Sequence, residues 1–115
     1  RALREELCLK HTSEHVEKIM HVQGLTAKRA LEESRNYNSI FLCPDSTKAG
    51  LLSAGSVIEA TAKVCAGEIR SALCVVRPPG HHAERGHAMG FCLFGNVALA
   101  VAKARRRGWS RRTLI

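Results

Sequence analysis

The stretch VVRPPGHHAERGHAMGFCLFGN, residues 75–96, constrains this chain more than any other, because it sets two adjacent histidines between two apolar runs. Upstream, residues 71–76, SALCVV, are short, apolar and rich in Val, the pattern of a strand with both faces covered. Pro78 and Pro79 cannot donate to a ladder and Gly80 permits a tight bend, so His81 and His82 are expected just past the strand's C-terminal end. In an open parallel sheet that edge is where ligands bind. Consecutive loop side chains diverge, which suits two proton carriers at different depths better than two ligands of one cation. Imidazole titrates near neutral pH and fits that work.

The rest of the chain reads as elements built around this loop. Residues 1–9 form a short helix or approach segment, and Thr12 is expected to cap a helix reaching about Val22, with Val16, Ile19 and Met20 on its apolar face. His11 and His15 have the helical spacing of a metal pair. Without a third ligand or an HExxH arrangement, surface or packing roles are the better reading. Gly24 closes that helix, and residues 26–34 form a polar one. Residues 39–43, SIFLC, are expected to be a buried strand. Asp45 or Ser46 then caps a helix to about Ala66, whose Leu51, Gly55, Ile58, Ala62 and Cys65 recur at helical intervals.

Gly67 separates that helix from residues 71–76, giving a strand, helix, strand unit. The plan repeats after the histidines. Asn96 is expected to cap a helix through Arg107, Gly108 to end it, and residues 112–115 to begin another strand. Two successive crossovers of this kind predict an α/β fold with a parallel sheet. The apolar character of residues 97–102 on nearly all sides predicts burial between layers.

Composition removes several function classes. No run of about 18 apolar residues occurs, so no membrane helix is expected, and RALREELC carries charge where a signal peptide would be apolar. Five cysteines without a CxxC pair, Cys8, Cys43, Cys65, Cys74 and Cys92, suggest a reducing intracellular compartment, with several buried as small apolar residues. Lys103, Arg105, Arg106, Arg107, Arg111 and Arg112 hold most of the formal charge of +8. They read as a solvated helix end, because no nucleic-acid motif accompanies them. Gly80, Gly86 and Gly90 lack the GK pair of a phosphate loop. Cys92 has apolar neighbours and reads as a buried inert thiol, not a nucleophile. His87 is expected on the surface, and Met89 in packing.

VRPPGHHAERGHAMGFC, together with HTSEHV at 11–16, YNSIFLCPDS at 37–46 and AGLLSAG at 49–55, resembles the zinc-dependent histone deacetylases. That family shares an arginase-like fold and includes the acetylpolyamine amidohydrolases, and the likeness is greatest to class II enzymes of the IIb group. The resemblance implies a three-layer fold with a parallel sheet flanked by helices. It implies that His81 and His82 are the tandem histidines that act as general base and electrostatic or acid partner. Gly90 and Phe91 would line the acetyl-lysine channel, Cys92 would lie in the wall behind it, and Ser39 would be a rim residue that bonds substrate backbone. Gly95 departs from relatives with Asn in an FNN or FNS run, which should alter capping more than chemistry.

The same resemblance implies Zn2+ as cofactor, with every zinc ligand and the carbonyl-polarising tyrosine supplied downstream of Ile115. Residues 1–115 are therefore expected to be a partial deacetylase domain that stops before those ligands, with no metal-ligating residue of its own. Implied partners are acetylated histones or tubulin-like proteins and corepressor proteins, in the cytoplasm or nucleus, with neither nucleic acid nor membrane. Two alternatives stand beside hydrolysis of acetyl-lysine: a catalytically silent fragment or interaction module, and a deacetylase of acetylated polyamines.

Overall fold

The longest element of the computed structural model, which describes residues 1–115, is a helix over Ser46–Cys65, and the last helix of the chain packs against it. In chain order the helices are α1 (Arg4–Leu7), α2 (Ser13–His21), α3 (Ala27–Ser34), α4 (Ser46–Cys65) and α5 (Asn96–Arg106), with one 3-10 turn at Val22–Gly24 after α2. Helix α2 starts where its expected cap, Thr12, predicts. The Thr12 hydroxyl accepts the His15 N–H at 3.2 Å, and Thr26 accepts the Arg29 N–H at 3.4 Å, so each satisfies a donor that the first turn leaves unpaired. Gly67 and Gly108 follow α4 and α5 with positive φ.

One apolar core joins these pieces. Leu7 of α1, Val16 and Ile19 of α2, Ala30 of α3, Ala54 and Ile58 of α4 and Leu99 and Ala100 of α5 meet Leu42, Leu93 and Phe94 from the connecting segments. The Thr47 hydroxyl fastens α4 to the end of α2 by donating to the Ile19 carbonyl at 2.5 Å. On another side the N-terminus lies directly on α4, where the Ala2 N–H reaches the Leu51 carbonyl at 2.8 Å. A side chain at Gly55 would put its Cβ 2.5 Å from the Ala2 nitrogen, so only glycine admits this contact.

The three expected strands do not form ladders. Residues 71–76 and 112–115 make no backbone pairing, and only isolated bridges occur, Asn38 with Met89 and Met89 with Cys92. A strand needs a neighbouring backbone about 4.8 Å away, and no other segment comes alongside residues 71–76. In residues 39–43 side chains take the donors instead: the Leu42 N–H goes to the Ser34 hydroxyl at 2.7 Å and the Cys43 N–H to the Ser46 hydroxyl at 2.9 Å.

Smaller expectations also change. Asn96 is the first residue of α5 and Gly95 its cap, because the Asn96 amide is engaged elsewhere. It donates to the Ser53 hydroxyl at 2.8 Å and to the Pro78 carbonyl at 3.2 Å. Helix α5 buries one face, with Val97 and Ala98 exposed. Of the five cysteines only Cys92 is buried. His87 is half-buried, its ring 5.1 Å from that of Tyr37.

Candidate functional site

The histidine loop leaves residues 71–77 at Pro78 and is held at once. The Pro78 carbonyl accepts both the Ser53 hydroxyl of α4, at 2.6 Å, and the Asn96 amide of α5, so two helices fix the point from which the loop departs. His81 and His82 follow on the surface, their ring centroids 4.3 Å apart and inclined by 67°. Both imidazoles therefore reach solvent while remaining adjacent, the arrangement that proton transfer to and from one small molecule requires.

Gly90 and Phe91 return to this pair. At Gly90, φ is +54°, and a Cβ there would stand 2.7 Å from Cδ2 of His82. Glycine is required twice over, by the left-handed backbone and by the imidazole packed on its face. The Cys92 thiol ties the same two residues together, accepting the His82 N–H at 3.4 Å and donating to the Gly90 carbonyl at 3.4 Å. Its burial agrees with an inert thiol in the wall of the site. Phe91, also at positive φ and exposed, projects outward beside it.

Ser39 reaches this rim from the other side. The Gly90 N–H donates to the Asn38 carbonyl at 3.0 Å and the Phe91 N–H to the Ser39 carbonyl at 2.8 Å, so the two rim segments are stitched backbone to backbone. The Ser39 hydroxyl donates to Oδ1 of Asn38 at 3.0 Å. All five residues singled out in the sequence thus belong to one neighbourhood. They do not line one cavity. His81 borders an apolar depression of about 580 Å³ with Pro79, Ala83, Val97 and Ile115, whereas Phe91 borders a separate one of about 250 Å³ with Ile40, Phe41 and Arg77.

Two further histidines support the loop, and the sequence reading gave them no such role. His11 and His15 are buried, 5% and 1% exposed. Nε2 of His11 accepts the Gly95 N–H at 3.0 Å, while its Nδ1 donates to the Arg85 carbonyl at 3.2 Å. Nε2 of His15 donates to the Leu93 carbonyl at 2.9 Å. Phe94 sets its ring edge-on to both imidazoles. Burial pushes both histidines below the ordinary imidazole value, against the opposing pull of the Arg85 and Leu93 carbonyls. The available signal was the spacing of the two within HTSEHV; their partners, far away in sequence, were not visible there.

A metal site is a different matter. No three His, Cys, Asp or Glu side chains of this chain converge as a metal would require. These residues do not by themselves fit the zinc ion that the resemblance implies.

A family model described as "Histone deacetylase domain" matches residues 1–115, the whole chain. The chain belongs to the histone deacetylase family. Among class II-like relatives, it is 37% identical over 114 residues to the polyamine deacetylase HDAC10 of Mus musculus, covering 99% of this chain and 17% of that protein. It is 42% identical over 100 residues to histone deacetylase HDA1 of Saccharomyces cerevisiae, covering 87% of this chain and 14% of that one. A crystal structure of the HDA15 HD domain superimposes with a TM-score of 0.80 at 33% identity, over 93% of this chain and 28% of that chain. This deacetylase-family chain thus spans less than a third of the relatives it matches. None of its helices is long and apolar enough to cross a membrane.

Proposed function

We propose that this chain is the histidine-bearing part of a protein lysine deacetylase that hydrolyses acetyl-lysine amides in histones or tubulin-like proteins, in the cytoplasm or nucleus, alongside corepressor proteins. The observation that carries the reading is the packing of His82 on Gly90, with His81 alongside. One imidazole takes a proton from water as its oxygen bonds to the acetamide carbonyl carbon, and the pair delivers a proton to the lysine nitrogen as the C–N bond breaks, releasing acetate and the lysine amine. Gly90, having no side chain, carries the His82 ring on its face at the wall of the lysine channel, and Phe91 offers the substrate's aliphatic stem an apolar wall. Ser39 stands at the rim, where its hydroxyl can turn from Asn38 to a substrate backbone.

In this reading residues 1–115 are a partial domain of an arginase-like, three-layer fold. Residues 39–43, 71–76 and 112–115 take their places in its parallel sheet when the rest of the protein lies beside them, and the Zn2+ ligands come from that remainder. The test is made on the full-length protein. His82→Ala is expected to lower the rate of deacetylation of an acetyl-lysine peptide by about 10²-fold or more. Unchanged hydrolysis overturns the catalytic pair.

A second reading keeps the chemistry and changes the substrate to acetylated polyamines. It is favoured by the similarity to HDAC10 of Mus musculus, which is named a polyamine deacetylase. Side-by-side turnover of acetylated polyamines and acetyl-lysine peptides by the full-length protein decides between them. A catalytically silent interaction module remains the reading if neither substrate is turned over, and the exposed Leu73 and Val75 would then mark its contact surface.

A further inference from the structure

We propose that His11 and His15 are positioning residues for the candidate site, holding residues 85–95, and with them Gly90 and Phe91, at a fixed setting against His82. For its consequence on turnover this inference rests on the deacetylase reading above; the geometry itself does not. Three points of the returning loop are pinned from the start of one helix. Arg85 is held by the His11 ring and by the Thr12 N–H, which reaches the same carbonyl at 3.0 Å. Leu93 is held by His15, and Gly95 by His11. Gly90 and Phe91 lie between the first pin and the second. They are therefore suspended between fixed points, and their own bonds to Asn38 and Ser39 set them sideways.

The hydrogen bonding also explains why the pinning group is imidazole. His11 both accepts and donates on one flat ring, which only the neutral tautomer with the proton on Nδ1 can do. An imidazolium has no lone pair for the Gly95 N–H. The titratable and charged groups that face the pair are His15 and His11 themselves, His87 and Lys18, while Glu84 and Arg85 present backbone carbonyls. No carboxylate stands among the influences on either ring, and burial outweighs the pull of the backbone carbonyls toward the charged form, so the neutral form is favoured. A packing role alone would ask only for bulk beside Phe94. The bonds to Gly95, Arg85 and Leu93 ask for an acceptor and two donors at set positions.

The experiment uses the full-length protein with two substitutions at one position. His11→Leu keeps bulk and loses both bonds; His11→Gln keeps an acceptor and a donor on a side chain of similar reach. Amide hydrogen exchange at Gly90, Phe91 and Gly95 is measured with kcat and KM for an acetyl-lysine peptide. His11→Leu is expected to speed exchange at all three amides by about tenfold or more and to lower kcat/KM by about ten- to a hundredfold. Most of that loss should appear in KM, because Gly90 and Phe91 border the substrate and not the attacking water. His11→Gln should recover both quantities to within about threefold. Equal behaviour of the two variants, or unchanged exchange in His11→Leu, overturns the proposal. If His11→Leu does not fold, His15→Phe decides the matter, since it keeps a ring and loses only the Leu93 bond: faster exchange at Gly90 and Phe91 supports positioning, and unchanged exchange overturns it. A wild-type protein inactive on acetyl-lysine sinks the deacetylase reading alone, because the exchange measurement still tests the pins.

Discussion

Upstream of the tandem histidines, Leu73 is 90% and Val75 89% exposed; downstream, Cys92, Leu93 and Phe94 are at most 2% exposed. The two flanks are similarly apolar as sequence, SALCVV against GFCLFGN. What separates them is the supply of partners. The downstream flank finds two imidazoles for its polar backbone and the face of α4 at Gly50 for its rings, with Phe94 Cε2 lying 3.2 Å from where a Cβ on Gly50 would be. The upstream flank itself makes no such bonds, and the chain is held only beyond it, where Ser53 and Asn96 meet Pro78. Apolar composition expresses a demand for burial, and the contacts that meet it must come from somewhere in the folded chain.

Phe94→Ala is the strongest way to break this contrast. The ring is 1% exposed and contacts both buried imidazoles, so its loss should cost about 3–5 kcal/mol, read as a fall in the urea midpoint at constant slope. A slope that also changes would mean the downstream flank has loosened into something like the upstream one.

Acid should weaken the same flank by a smaller amount. His11 and His15 have folded-state values below the unfolded value of 6.5. Between the two values the unfolded chain binds more protons, so stability is complete above about pH 6.5 and falls as pH drops below it. Urea midpoints taken from about pH 8 to about pH 5 should show this fall. They should show less of it in His11→Gln, where one of the two titrating groups is gone.

Leu73→Ala should have the least effect, within about 0.5 kcal/mol in the 115-residue chain, because the side chain is already in water. The same substitution in the full-length protein sharpens the comparison. A cost there of about 2 kcal/mol or more would mean that residues absent from this chain cover the upstream flank.

The helices were legible in the sequence because their signals are local. Thr12 caps a helix with its own hydroxyl, and Gly67 and Gly108 end helices with their own backbone freedom. The tandem histidines, Gly90, Phe91 and Ser39 were legible as a set through the family resemblance, and the structure gathers them. Three things were not legible. Residues 71–76 have the composition of a strand, but pairing belongs to two segments and cannot be read from one. Asn96 has the identity of a cap, yet Ser53 and Pro78 compete for its amide and take it. His11 and His15 showed a spacing without a purpose, because the carbonyls and N–H that give it one lie 74, 78 and 84 residues further along the chain.

Those separations bear on what could be moved from this protein to another. A synthetic peptide of residues 75–96 would contain both tandem histidines, the glycine and the phenylalanine, and none of the groups that set their relative heights. Free in water it would sample the many conformations open to any glycine-containing chain. The shape of the loop is stored at the beginning of the chain, in a helix entrance that a graft of the signature alone would leave behind.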